Sequence, residues 1–337
     1  MRIPFTILSG WLGAGKTSVL NRMLASPSNV KIAVLVNELG RISIDTQLIV
    51  GGGGDVLELA GGCVCCKVDI NNDLWAGITD IVTRSKPDHV VLETTGIAEP
   101  AAILDSLLFP SKTLGEIGGK RAAEQAAARE CIIPAGVICV VDADTGAEAL
   151  DLRSEAAAQA AAADRILISK LDLANADSVR NTHRRLDIHA AHAERASFPM
   201  DGSGALELTS WLLERRTVRA SNRPLSAHQH RDADEARTHF HRGQLIALTH
   251  SDEVPLVAER VLAVIESLGS RLVRAKGFIA IAGEERRGFV ERAGARTELT
   301  VREPWGQAVR RSELVLIGDD LDAAALRRAL WACRAAG

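Results

Sequence analysis

Short apolar runs alternate with helical patterns over the first two-thirds of the chain. The runs at 5–9, 32–36, 89–92, 137–141 and 165–169 are mostly apolar, as strands buried on both faces are. Between them lie amphipathic stretches such as 17–24, where Val19, Leu20, Met23 and Leu24 share one stripe. Strands alternating with helices predict an α/β fold with a doubly wound, mostly parallel sheet. Residues 115–129 are polar and Ala-rich with several glycines, and read as a loop with a short solvent helix. Residues 156–163 are nearly all Ala, a strong helix former, and read as a plain helix feeding the strand at 165.

From 214 to 237 the chain is charged, His-containing and poor in apolar residues, which reads as a linker. Beyond it the order changes. A strand is expected at 244–249, a helix at 254–268, strands at 277–282 and 313–317, and a closing helix at 321–333. Residues 288–301 could supply further antiparallel strands. This predicts a smaller α+β domain of the split βαβ kind. The expected division is 1–222 and 223–337.

Composition narrows the field. A length of 337 residues suits two domains, and 47% apolar with 25% charged residues excludes a disordered chain. Forty basic against 43 acidic residues give a net charge of −3, with no field for nucleic acid or an anionic membrane. Arg215, Arg216 and Arg219 do not amount to a basic stripe. Aromatics are 3% and Tyr is absent, so base stacking is poorly supplied. No charged leader with a long apolar run begins the chain, and no run reaches the ~18 apolar residues of a membrane span. A cytoplasmic location is expected, where thiols stay reduced.

Residues 10–17 read GWLGAGKT, a complete G-x-x-x-x-G-K-[ST] loop between an apolar strand and an amphipathic helix. Gly10, Gly13, Ala14, Gly15, Lys16, Thr17 and Ser18 are its nucleotide-binding candidates. Backbone N–H groups and the helix N-terminus would wrap phosphates. Lys16 would reach the β- and γ-phosphates and the Thr17 hydroxyl would ligate Mg²⁺. The strand at 89 ends in Glu93-Thr94-Thr95-Gly96. Glu93 there can hold the Mg²⁺ shell through water, and Gly96 lets backbone approach the γ-phosphate. Ser169-Lys170-Leu171-Asp172 has the [NTS]-K-x-D form that reads guanine. Asp172 would accept from the base N1 and N2 hydrogens, and the Lys170 stem would lie on its plane. Ser169 in place of Asn removes a carboxamide, which predicts a weaker grip on the base.

The six cysteines are too few for a disulfide scaffold of this length, and their placement is uneven. Cys63, Cys65 and Cys66 crowd together in Gly61-Gly62-Cys63-Val64-Cys65-Cys66, whereas Cys131, Cys139 and Cys333 are scattered. Such close neighbours make poor disulfides and good soft ligands for Zn²⁺ or Cu(I). With no second C-x-x-C, the site is either incomplete and exchangeable or completed by a distant residue. Glu38, after the second strand, is the best candidate. Buried cysteines acting as small hydrophobes are the bland alternative, against which the adjacent glycines and Lys67 argue.

Together these residues resemble the CobW-type metallochaperone GTPases, relatives of HypB and UreG. The likeness is carried by SGWLGAGKTSVLNRML, IAVLVNELGRISIDTQLI, GGCVCC, VVLETTGIAEP, VICVVDAD and ADRILISKLDL. It continues in LVRAKGFIAIAG and SELVLIGDDLDAAALRRALWAC, covering nearly the whole chain. The resemblance implies a GTPase, slow without metal or partner, that binds a divalent metal at the C-x-C-C motif. It would pass that metal to a client protein. Zinc is the commonest cargo assigned to the family. Cobalt for cobalamin synthesis, and iron or cobalt for a nitrile hydratase-like enzyme, are the alternatives. Carried over by motif, Lys16, Thr17 and Glu93 are catalytic, Lys170 and Asp172 read guanine, and Cys63, Cys65, Cys66 and Glu38 face the metal.

Two departures stand out. The family pattern N-E-F-G-E is Asn37-Glu38-Leu39-Gly40-Arg41 here, with a cation where a carboxylate could touch metal. A long His-rich run is reduced to His228, His230, His239, His241 and His250, which read as weak surface metal sites or solvated linker histidines. GTP and metal are expected to be coupled through the loops between Glu38 and Cys66. Asp45 is offered as the residue positioning the attacking water. Homo-oligomerisation stays open. The rival of another class is a thiol redox-sensing, GTP-dependent regulator, because Lys67 could activate adjacent thiols. A metal-storage protein with a vestigial loop is a third reading, against which Lys16 and Thr17 count.

Overall fold

Val, Ile and Leu fill the short runs, and these side chains suit a pleated surface covered on both faces. The computed structural model describes residues 2–36, 55–58, 70–108, 120–199, 203–215, 245–293, 296–306 and 309–335. Glu38, Arg41, Asp45, Cys63, Cys65, Cys66, His228, His230, His239 and His241 lie outside them. So do most of the 214–237 linker and the proposed boundary at 222.

The described residues divide into two units, 2–215 and 245–335. The first runs β1 (Ile3–Gly10), α1 (Lys16–Ala25), β2 (Ile32–Val36), β3 (Asp55–Glu58), α2 (Ile70–Ser85), β4 (His89–Glu93) and α3 (Pro100–Leu108). It continues with α4 (Lys120–Cys131), β5 (Ile132–Asp142), α5 (Gly146–Leu152), α6 (Ser154–Ala162) and β6 (Arg165–Ser169). It ends with α7 (Ala176–His189), β7 (Glu194–Ser197) and α8 (Ala205–Leu213). The seven strands stand in the order β3-β2-β4-β1-β5-β6-β7, every neighbouring pair parallel.

Alternate residues of the strands feed two cores. Phe5, Ile7, Leu35, Leu92 and Ile166 pack with Trp75 of α2, Ile103 of α3 and Leu186 of α7. Leu8, Val34, Val91, Val140 and Leu167 pack on the other side with Leu20 and Met23 of α1 and Leu208 of α8. Helices therefore cover both faces, as the parallel sheet requires.

Several boundaries differ from expectation for identifiable reasons. β5 begins five residues before the expected 137, because Pro134 sits where the β1–β5 register shifts and needs no ladder donor there. β3 and β7 were not expected. β7 reads Glu-Arg-Ala-Ser on the sheet edge, with no apolar run to reveal it. The helix expected within 115–129 is α4, twelve residues long. One face of it packs inward, with Ala128 buried and Arg129 over the Trp75 ring at 4.8 Å, while Ala126, Ala127, Glu130 and Cys131 are exposed as a solvent helix would have them.

The second unit runs β8 (Leu245–Asp252), α9 (Ala258–Ser267), β9 (Leu272–Ala280), β10 (Arg286–Ala293), β11 (Arg296–Pro304), β12 (Ser312–Asp319) and α10 (Ala323–Trp331). Its sheet order is β11-β10-β9-β12-β8, with all neighbours antiparallel. β12 pairs with both β8 and β9, so those two are parallel strands split by a third and joined by α9. β10 and β11 are the hairpin expected in 288–301. Leu248, Ile265, Ile279, Leu316 and Leu330 form its own core. Cys333 is buried in that core, with Sγ 3.3 Å from the Ala329 carbonyl. Gly277 of β9 passes so close to β12 that a Cβ would lie 2.0 Å from the Glu313 carbonyl oxygen. Among the described residues no helix is long and apolar enough to cross a membrane.

Candidate nucleotide site

Parallel strands deliver their carboxyl ends to one edge of the sheet, and the polar residues at those ends meet there. β1 and β4 place Leu8 opposite Glu93, and β5 and β6 place Asp142 opposite Ser169. The loop after β1 lies between these pairs.

The loop turns through an Ala14 N–H to Trp11 carbonyl bond of 3.1 Å. Gly15, at φ 96°, is the N-cap of α1, and no side chain caps that end. The first-turn N–H groups and the helix dipole together suit an anion. Lys16 is buried, and its Nζ donates to the Gly10 carbonyl at 2.8 Å and to Trp11 at 3.3 Å. Ser18 is exposed on the first turn of the helix. The Thr17 hydroxyl donates to Glu93 Oε1 at 3.1 Å. A hydroxyl beside a carboxylate is a hard-oxygen donor set, which fits Mg²⁺.

Beyond Glu93 the chain turns against the loop. Thr94 N donates to the Leu8 carbonyl at 3.0 Å. At Gly96 a Cβ would stand 2.7 Å from Leu12 N and 2.5 Å from Leu12 Cδ2, so only glycine allows this approach. The amide of fully buried Gln159 on α6 also holds this turn, donating to the Gly96 carbonyl at 3.0 Å and to the Ala98 carbonyl at 2.9 Å.

The S-K-x-D segment joins the same edge. The Ser169 hydroxyl donates to the Ala14 carbonyl at 2.7 Å, with the Val141 carbonyl at 3.3 Å alongside. Serine thus ties the strand end to the phosphate loop. Lys170 adopts φ 55° and its Nζ pairs with Asp142 Oδ2 at 2.8 Å. Asp142 Oδ1 accepts from Asp144 N at 2.8 Å and Thr145 N at 3.3 Å, which fixes it in turn. Asp172 is exposed in a turn closed by Leu173 N to the Lys170 carbonyl at 3.1 Å.

Asp142 and Gln159 were not foreseen. Asp142 could have been, since it ends an apolar run as Glu93 and Ser169 do. Gln159 is the one polar residue between Ala156 and Ala163, a signal hidden by reading the stretch as plain helix.

Cys139, on β5, lines a cleft with Leu12, Ala14 and Asp142. Burial pushes its thiol up to about 12, against the opposing pull of the Lys16 charge. Among the described residues no group of three or more His, Cys, Asp or Glu could hold a metal. His250 is not a solvated linker histidine. It is buried on β8, 3.8 Å from Asp252, and burial lowers its pKa. Asp252 is held in turn by Arg334 Nε at 2.8 Å.

The model of the CobW/HypB/UreG nucleotide-binding domain matches residues 4–197, and that of the cobalamin synthesis protein cobW C-terminal domain matches 245–334. The chain belongs to the CobW/HypB/UreG family. Among relatives of this CobW-type chain, the zinc chaperone YjiA of Escherichia coli K12 is 28% identical, with 98% of this chain and 99% of the relative covered. The zinc chaperone CobW of a Sinorhizobium species is 26% identical, with 98% and 97% covered. A solved Zn(II)-bound YjiA GTPase from E. coli aligns over 99% of this chain and all of its own, at 22% identity and a TM-score of 0.43.

Proposed function

We propose that this chain is a GTP-binding and GTP-hydrolysing metallochaperone. The reading is that it carries zinc at Cys63, Cys65 and Cys66, with Glu38, and hands it to a client metalloprotein in the cytoplasm. The observation that carries the nucleotide half is the meeting of three strand ends at one loop: Glu93 on Thr17, Ser169 on Ala14, and Lys170 beside them on Asp142. Membership of the family and the zinc chaperones among the relatives support the metal half.

In this reading residues 1–222 hold nucleotide and metal, and 223–337 serve the client. GTP seats its phosphates on the loop N–H groups. Lys16 exchanges the Gly10 and Trp11 carbonyls for phosphate oxygens, and Asp172 with Lys170 reads the base. Thr17 and Glu93 would hold Mg²⁺, which when bound neutralises charge on the phosphates. Lys16 then stabilises the charge that develops as water attacks the γ-phosphorus and the bridging oxygen leaves with GDP. Metal affinity follows nucleotide state through the residues between Glu38 and Cys66.

The test is competitive zinc binding to the GTP- and GDP-bound protein, with GTP turnover followed in parallel. The two nucleotide states should differ in zinc affinity, and zinc should change turnover. Replacing both Cys65 and Cys66 by Ala should abolish both effects while GDP still binds. Unchanged zinc affinity and zinc-dependent turnover in that variant would sink the metal half. Absence of GTP turnover in the parent protein would sink the nucleotide half.

A further inference from the structure

The 94–98 turn is held by two contacts. Leu12 of the phosphate loop presses on Gly96, at distances that no side chain at 96 would permit. A second side chain, Gln159, spends both amide hydrogens on the turn, one each on the Gly96 and Ala98 carbonyls. These partners are more than sixty residues away in sequence.

The orientation of that amide is fixed by chemistry. Rotating it by half a turn would set Oε1 against two carbonyl oxygens. As it stands, Oε1 is buried with no hydrogen-bond partner among the described residues. A fully buried side chain that leaves its acceptor unmet in order to place both donors on one turn is specialised for that turn. The segment also bears on the loop a second time. α6 runs into β6, whose last residue, Ser169, holds the Ala14 carbonyl.

We propose that Gln159 is a positioning residue for γ-phosphate hydrolysis, holding the turn after Glu93 against the phosphate loop. The inference rests on the GTPase reading above. In that reading Gly96 of this turn is the backbone that approaches the γ-phosphate, so the turn would serve the end of the nucleotide that a diphosphate lacks. Gln159 should therefore govern turnover of the triphosphate and leave diphosphate binding alone.

The experiment compares the full-length parent with Gln159→Met and Gln159→Glu, measuring steady-state GTP hydrolysis and GDP affinity. Met keeps the length and removes both donors. Glu keeps the shape and turns a carboxylate on two carbonyls. Turnover should fall about tenfold in Gln159→Met, the scale of two lost hydrogen bonds, and further in Gln159→Glu. KM and GDP affinity should stay at the parent values. Parent-like kcat in Gln159→Met overturns the inference. So does loss of GDP affinity in step with kcat, since the amide would then only hold the domain together. A parent that binds GDP but turns over no GTP removes the GTPase reading itself, and the inference with it.

Discussion

At the scale of single residues, His89 shows how burial turns a common side chain into a pH liability. It begins β4, is fully enclosed, and shares a 2.8 Å hydrogen bond between Nε2 and the Thr6 hydroxyl. Burial first, then the charges of Arg215 and Arg165, lower its pKa from 6.5 to about 4. Above pH 6.5 it is neutral folded or unfolded and costs nothing. Between 6.5 and 4 the unfolded chain takes up a proton that the native chain refuses, so stability falls as pH falls, by up to about 3 kcal/mol. Urea unfolding of the first unit at pH 7 and pH 4.5 should show this loss, and a His89→Gln variant should lack that share of it. The sequence revealed the phosphate loop residue by residue because every fixed position of the motif is present. It left Gln159 unread, because its role exists only where a helix meets a turn far away in sequence, whereas Asp142 ends an apolar run and was there to be read. Ser169 was legible as a motif member but not as the tie to Ala14, which required knowing that β6 ends beside the loop.

At the scale of elements, α8 is held by a charge that the sequence placed inside a strand. Arg165 is wholly buried at the start of β6, where its guanidinium donates to the carbonyls of Trp211, Leu212 and Glu214 and lies 4.8 Å from the Trp211 ring centroid. A cation at these last carbonyls satisfies the helix end and opposes its dipole. Arg165→Met should strip the helix of these donors and lower stability of the first unit by about 2–4 kcal/mol. Denaturant titration would measure it, and limited proteolysis should find the 205–215 segment cleaved sooner. Strands β2 and β6 were legible to the residue: five apolar residues bounded by polar ones in β2, and three apolar residues between Arg165 and Ser169 in β6, leave little choice. β9 was not: it starts at Leu272 rather than 277, because Arg274 and Lys276 interrupt the apolar pattern.

At the scale of the whole molecule, each sheet feeds cores of its own: the parallel strands one on either face, and the antiparallel strands a third. Alternation of strand and helix foretold the first. The order strand, helix, strand with a late returning strand foretold the second. What no pattern along the chain could give is the β9–β12 approach at Gly277. Adding one methyl group there, Gly277→Ala, should unfold or severely destabilise the second unit while GDP binding by the first persists. Two separated thermal transitions, only one of them raised by GDP, would bear this out. A single transition lost together with GDP binding would refute it.

The burial of Cys139 beneath the phosphate loop, and of Cys333 in the second core, also decides where a soft cation can go. A thiol must lose its proton to bind metal or to attack an electrophile. Burial raises both pKa values, Cys139 to about 12, so these two sulfurs stay protonated at neutral pH. A soft cation that reached either sulfur would meet a protonated thiol, and an oxidant would meet the less reactive form.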